Sequence, residues 1–427
     1  MTRIAGLFGM ALAAAAFAPA APAVAADLVC FSTSSRGAIC LNGGKIEHHT
    51  RASARLPSDR FSALETCGDR IVALVGGSVV TYDGKAWSAP NRPPGGYASR
   101  LACGKGSEYW VSMTGGVAHW NGSAWKSFSM RDVAPDAGTT SVFDIAVGGN
   151  GMVWVAMAGG VVAMHEAGQW TVFKEGKGFD KRYPFTRIYT GTKDQVLIPA
   201  GAAVLAFNDG KWQPVSGMAH FSAFAIGPDG KRWTASGRKL VMYDGDRKAE
   251  HDLGHSIRAI AVDATGAVWV ASEFGLARFA DGKFETRHMH DSALPDNDFS
   301  AVTALGKASD LPAKADQQPG SLEGRLEWKD GKPVAGAEVQ ICGVSAGIFT
   351  GPEGPCGKRP LFFQATADGE GKFQFAKTPP AAYRIAVKPV GAPRWIVFLG
   401  TSDRLRVGAG EAKNAGTLVM DTRNRPK

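Results

Sequence analysis

Between Phe61 and Arg287 the chain repeats one pattern every 40 residues or so, and no other feature narrows its fold as much. A unit starts with a short apolar strand such as Phe143-Asp144-Ile145-Ala146-Val147. A Gly/Asn/Asp turn leads to a Trp-containing strand such as Val153-Trp154-Val155-Ala156, then to a Gly and another short apolar run. It closes on a turn and an aromatic: Asp83-Gly84-Lys85-Ala86-Trp87, Asn121-Gly122-Ser123-Ala124-Trp125, Ala167-Gly168-Gln169-Trp170, Asp209-Gly210-Lys211-Trp212 and Asp281-Gly282-Lys283-Phe284. Asp-Gly and Asn-Gly tolerate the positive φ that hairpins demand. Trp87 to Trp125 spans 38 residues, Trp125 to Trp170 spans 45 and Trp170 to Trp212 spans 42. Trp110, Trp154, Trp233 and Trp269 recur in the same phase, with Val196 in the remaining place. Four short strands at this period indicate propeller blades, and the turns come too often for helical repeats.

First strands start near Phe61, Ala98, Val142, Phe185, Phe221 and Ile257, and a seventh, Phe299 to Leu305, has no Trp strand after it. The N-terminus holds the complement: Leu28 to Thr33, Gly37 to Asn42 and Lys45 to His49 are strands without a first one. The expected fold is therefore all-β: a seven-bladed β-propeller (six or eight also fit), closed by the C-terminal strand in the first blade. Closure removes exposed edges. Of the 54 glycines, most punctuate blades and hairpins.

The blade from Gly266 to Phe279, with Asp281-Gly282-Lys283-Phe284 and Leu294-Pro295-Asp296-Asn297-Asp298, resembles the two-component-regulator propeller repeat. That resemblance implies an extracytoplasmic sensor propeller. No transmembrane helix, kinase or DNA-binding segment follows, so the signalling output of such sensors is not expected here. Residues 306–320, rich in Ala, Gln and Pro, read as a linker. Beyond them, Gly324 to Trp328, Gly331 to Val339, Thr366 to Phe375 and Pro379 to Ile385 alternate as short strands between Gly/Pro/Asp turns, the pattern of a β-sandwich. This stretch resembles the carboxypeptidase regulatory-like, transthyretin-like domain, with Ala382 where that family has Gly before its Tyr. The resemblance implies an adhesive or structural appendage. The expected division is 1–26 signal peptide, 27–305 propeller, 306–320 linker and 321–427 Ig-like/transthyretin-like sandwich.

The leader follows from Arg3, the apolar run from Ile4 to Phe17, and the small-residue cleavage sites Ala23-Val24-Ala25 or Val24-Ala25-Ala26. The expected location is periplasmic or secreted. All six cysteines lie after the leader, and none forms a C-x-x-C. An even count in an exported chain favours disulfides. Layout pairs Cys30 with Cys40 on neighbouring strands, Cys67 with Cys103 between consecutive blades, and Cys342 with Cys356 around a Gly/Pro-rich loop.

A propeller binds ligands at the mouth of its channel, on the loops that lead into first strands and those that follow Trp strands. The first set supplies Arg100, Asp144, Arg187, His220 and Arg258, and the second Arg238, Glu273 and Phe274. Arginines beside carboxylates suit an anionic ligand held bidentately, although charges also gather at wet mouths for solvation alone. His288-Met289-His290-Asp291 is expected to place two imidazoles on one face of a strand, but no further ligands at diagnostic spacing accompany them, so no metal is assigned. No catalytic motif, phosphate loop or dinucleotide fingerprint occurs, and no cofactor is expected. Exposed aromatics such as Trp120, Phe274 and Phe349 are candidates for stacking on sugars, though propeller aromatics more often pack between blades.

The chain has 48 Lys+Arg against 39 Asp+Glu, a net charge of +9 with no basic run. In an exported protein this favours anionic glycan or membrane surfaces over nucleic acid. The expected role is non-catalytic recognition of an envelope or extracellular protein, peptide or anionic glycan. The alternative is a propeller lyase or hydrolase acting on a polysaccharide or lactone-like substrate.

Overall fold

The computed structural model describes residues 27–426, except 34, 139–140, 180–182, 192–194, 209, 308–309, 345–353, 358 and 399–404. The expected leader, Asp209 and Phe349 lie outside the described residues. Among those described, strands dominate and no helix is long and apolar enough to cross a membrane.

Seven sheets follow one another along residues 28–305. In the first, Phe299–Leu305 lies antiparallel beside Leu28–Thr33, followed by Ala38–Asn42 and Lys45–His49. Within each sheet, position determines sequence character. Second strands such as Tyr109–Met113, Val153–Met157 and Val268–Ser272 are buried at every residue, because sheets pack against both their faces. Outer strands such as Arg247–Asp252 are mostly exposed and polar. The apolar clusters therefore lie between sheets: Trp154, Ala156 and Phe173 meet Ile198, Leu205 and Trp212 of the next. Val29 and Phe31 of the first sheet meet Trp269 and Ala271 of the seventh.

The closing aromatics act across these seams. Trp170 meets Trp110 edge-on at 6.4 Å, and Trp212 meets Trp154 at 5.7 Å. In two closing turns the Asx side chain caps the backbone: Asp83 accepts from the N–H groups of Lys85 and Ala86, and Asn121 from those of Ser123 and Ala124. Trp120 stacks on Tyr109 at 6.1 Å, so its ring serves packing.

Three local differences from the sequence reading have physical causes. The second sheet has only three strands, Phe61–Cys67, Arg70–Val75 and Ser78–Tyr82, with two isolated bridges at its outer edge. Pro90, Pro93 and Pro94 lack the N–H groups a full strand requires. The first strand expected near Phe185 is only Tyr189–Thr190, because the Ile188 N–H is taken by the Asp144 carboxylate of the neighbouring sheet at 3.1 Å. Residues 288–291 form a turn rather than a strand. The turn lies close to the neighbouring hairpin, where a Cβ at Gly275 (φ 101°) would collide with the Arg287 carbonyl.

The disulfides are Cys30–Cys40, Cys67–Cys103 and Cys342–Cys356, as the layout indicated. The C-terminal residues form a three-stranded sheet (Lys372–Thr378, Gly320–Trp328, Ala412–Met420) and a four-stranded one (Phe363–Thr366, Glu338–Cys342, Arg384–Lys388, Ile396–Val397). They share a core including Leu322, Leu326, Val339, Ile341, Phe373 and Ile385. Tyr383, fully buried, donates its hydroxyl to the Pro379 carbonyl at 2.6 Å and pins that turn with Ala382 in place. The expected linker is not a free tether. Ala315 and Gln317 donate N–H groups to the carbonyls of Asp291 and His290 at 2.8 and 2.9 Å, and Leu311 packs on the Trp269 cluster.

Candidate functional site: a charged central cavity

One cavity of about 460 Å³ is lined by the innermost strand of all seven sheets. Its walls alternate, as strands must, between residues facing the seams and residues facing the cavity. At the start of five first strands a bulge breaks the register, between Phe61 and Ala63, Ala98 and Arg100, Val142 and Asp144, Ile257 and Ala259, and Phe299 and Ala301. A bulge bends its strand and re-aims the side chains beside it. Arg100 and Asp144 immediately follow two of these bulges, and Arg258 occupies a third.

The charges converge. Arg100 Nε lies 3.7 Å and Arg187 Nη1 3.9 Å from opposite oxygens of Asp144, which also accepts the Ile188 N–H. Asp144 is buried, and burial raises its pKa against the pull of Arg187. Burial also lowers the pKa of Arg100. Glu65 projects into the same space. Its side chain is exposed to the open cavity, yet protein surrounds that space, and the resulting desolvation, with Asp144 nearby, pushes its pKa up to about 7. Tyr189 donates its hydroxyl to the Ser222 carbonyl at 2.8 Å. Thr66 and Thr303 pair their hydroxyls at 2.7 Å, bridging the second sheet and the strand Phe299–Leu305.

Of the eight expected rim residues, Arg100, Asp144, Arg187 and Arg258 line this cavity. His220 and Arg238 do not: His220 is exposed, and Arg238 pairs with Asp252 at 2.7 Å on the outside. Glu273 and Phe274 are only 6% and 5% exposed, because the C-terminal sheets cover them. A Cβ at Gly343 would come within 2.6 Å of the Phe274 ring, which removes that ring from any open rim. Glu273 accepts the Ser256 N–H at 3.1 Å. The glutamate within the cavity is Glu65, not Glu273. Sequence reasoning passed over Glu65, although a lone charge within the strand Phe61–Cys67 was its signal.

The covering contact is ionic at its centre. Asp298 is 3.0 Å from Arg258 of the cavity wall and 3.6 Å from Arg384 of the C-terminal sheets. Burial raises the Asp298 pKa, opposed by both arginines. Next to it, Arg406 donates to Asp296 at 2.9 Å and to the Pro295 carbonyl at 3.3 Å. One carboxylate thus joins the cavity wall to the C-terminal sheets. The histidines are local: His251 packs on Phe279 at 4.4 Å, and His255 bonds Ser272, with burial lowering its pKa to about 4.

No family model matches the sequence, and neither does any curated protein at a significant level. Solved structures do resemble it in fold. PorZ, a surface component of the type-IX secretion system of Porphyromonas gingivalis, is 15% identical with a TM-score of 0.50, over 85% of this chain and 62% of its own. The extracellular domain of a hybrid two-component system from B. thetaiotaomicron is 13% identical with a TM-score of 0.46, over 60% of this chain and 38% of its own. Virginiamycin B lyase from Staphylococcus aureus is 13% identical with a TM-score of 0.44, over 53% of this chain and 84% of its own. At such identities the likeness is one of fold.

Proposed function

We propose that the protein is an exported, non-catalytic binding protein whose central cavity receives an anionic group carried by an envelope or extracellular protein, peptide or glycan. The seven sheets are read as a seven-bladed ring, closed by Phe299–Leu305. The observation that carries the proposal is the sharing of one carboxylate, Asp144, by two guanidiniums at 3.7 and 3.9 Å, beyond hydrogen-bond length. Arg100 Nε is buried and donates no hydrogen bond. Although Arg100 Nη1 donates to the Ser99 carbonyl at 3.1 Å, an incoming carboxylate, sulfate or phosphate offers acceptors to the remaining N–H groups of the two guanidiniums, in the planar geometry arginine favours. Three disulfides support an oxidising compartment. The test is affinity capture from the cell envelope with the mature protein beside Arg100→Ala/Arg187→Ala. Loss of partner recovery in the double variant is expected, and undiminished recovery refutes the cavity as the binding site.

The enzymatic alternative rests on Glu65 alone. A carboxyl with a pKa near 7 has the proton affinity of a general acid or base. Under that reading Glu65→Gln abolishes turnover of a polysaccharide or lactone while leaving its binding intact. Under the binding reading no turnover exists to lose.

A further inference from the structure

The turn after the seventh sheet carries His288, His290 and Asp291, and each offers one ligand atom within 4.8 Å of the others. Asp291 accepts the His288 N–H at 2.6 Å and meets its Nδ1 at 3.1 Å, which folds the turn back on itself. The imidazoles lie 17° from parallel with centroids 5.0 Å apart, and Phe274 packs on both. His290 Nδ1 is buried without a hydrogen-bond partner. Buried polar atoms are normally partnered, and an orphaned imidazole nitrogen beside a second imidazole and a carboxylate points to a missing ligand.

We propose that His288, His290 and Asp291 form a binding site for a divalent transition-metal ion of the zinc class. Two imidazole nitrogens and one carboxylate oxygen suit such ions, whereas magnesium and calcium prefer oxygen alone. Three protein ligands leave a fourth position open for water or another ligand. Ligand atoms around tetrahedral zinc lie about 3.3 Å apart, given bonds of about 2.0–2.1 Å. Binding would therefore draw the three ligand atoms together from their present spacing. Lys314 Nζ, 3.8 Å from Asp291, is the local cation, and its side chain is 61% exposed, so it can move into water when an ion takes its place. A strand at this position would have alternated side chains and split the set; the turn brings Asp291 onto His288.

The site lies where the propeller sheets meet the segment 306–320 and the C-terminal sheets. His290 and Asp291 carbonyls accept the Gln317 and Ala315 N–H groups, and Met289 Sδ lies 3.5 Å from Arg406 Nη1. A bound ion would therefore stiffen the junction.

Equilibrium dialysis of the mature protein against micromolar zinc, with magnesium and calcium as comparisons, tests the site. One zinc per chain is expected, with neither magnesium nor calcium retained. His290→Ala, which spares the His288–Asp291 bond, should weaken zinc binding at least about tenfold, by the usual scale of metal-site perturbation. Lys314→Ala should tighten it, a change that a purely structural role would not produce. Cobalt substitution should give a visible d–d spectrum that His290→Ala loses, while thermal unfolding without metal shows both variants folded. His48→Ala/His49→Ala, at the other histidine pair, should leave retention unchanged. Failure of the parent to retain zinc, or retention unaltered by His290→Ala, overturns the proposal.

Discussion

Arg406→Leu should loosen the contact between the propeller sheets and the C-terminal sheets. The Arg406 and Asp296 side chains are 13% and 4% exposed and meet at 2.9 Å, so solvent screens them little. A hydrogen bond to a charged group contributes about 1.5–3 kcal/mol, and stranding a buried charge outright costs about 3–5 kcal/mol. Asp296 would not be stranded outright, because it also accepts the N–H groups of Asn297 and Asp298 at 2.7 and 3.0 Å. Leucine also retains some of the packing of the arginine stem. The expected loss is therefore about 2–3 kcal/mol, or roughly a 30- to 160-fold shift in the equilibrium. Urea unfolding followed by tryptophan fluorescence measures it. The C-terminal sheets, which hold Trp328 and Trp395 of the eleven tryptophans, should unfold at lower urea than the propeller sheets, and segment 306–320 should become cleavable by protease first. A change below about 0.5 kcal/mol, the scale of ordinary surface substitutions, with no separation of transitions, would refute the reasoning.

Four further outcomes are expected. Glu65 has a raised pKa in the folded protein, so the folded state binds its proton more tightly and stability falls as pH rises from the ordinary Glu range through about 7; the thermal midpoint of Glu65→Gln should lack that fall, and superimposable pH profiles would count against the raised pKa. His255 has the opposite sign: with its pKa lowered to about 4, stability is lost as pH drops through the ordinary His value toward 4, and His255→Gln should flatten that limb. Loop-closure entropy ranks the disulfides, with about 4 kcal/mol for Cys67–Cys103 and about 3 kcal/mol for each shorter loop; paired Cys→Ser variants in urea check the order, and any free thiol in the unreduced parent contradicts the pairing. Gly343→Ala should push Phe274 aside and expose the junction to protease without altering the disulfides.

Much of the architecture was legible because it repeats. The Trp strands announced themselves as continuous apolar runs, since sheets pack on both their faces. The missing first strand at the N-terminus and the surplus strand Phe299–Leu305 identified each other as partners, and they pair. Cysteine layout sufficed for the disulfides because the repeat implied the adjacency of Cys30 with Cys40 and of Cys67 with Cys103, while Cys342 and Cys356 flank one short loop. The cavity was half legible. Arg100, Asp144, Arg187 and Arg258 sit at strand starts, where the repeat places a mouth. Glu65 escaped because it lies deeper in its strand, and Glu273 and Phe274 misled because nothing in their blade shows that other sheets cover them.

What the sequence alone determined is local and periodic: strand positions, turns, disulfide partners, and half of the residues expected at the centre. Period-two alternation and the spacing of Gly and Trp act over a few residues and survive in one dimension. Only the tertiary structure decided which charges meet. Asp144 finds Arg187 some 43 residues later, and Asp298 links Arg258 to Arg384 across the junction. Burial, not residue type, then sets what Glu65 and the histidines around Phe274 can do. Burial is a property of everything packed around a side chain, and no short stretch of sequence carries it.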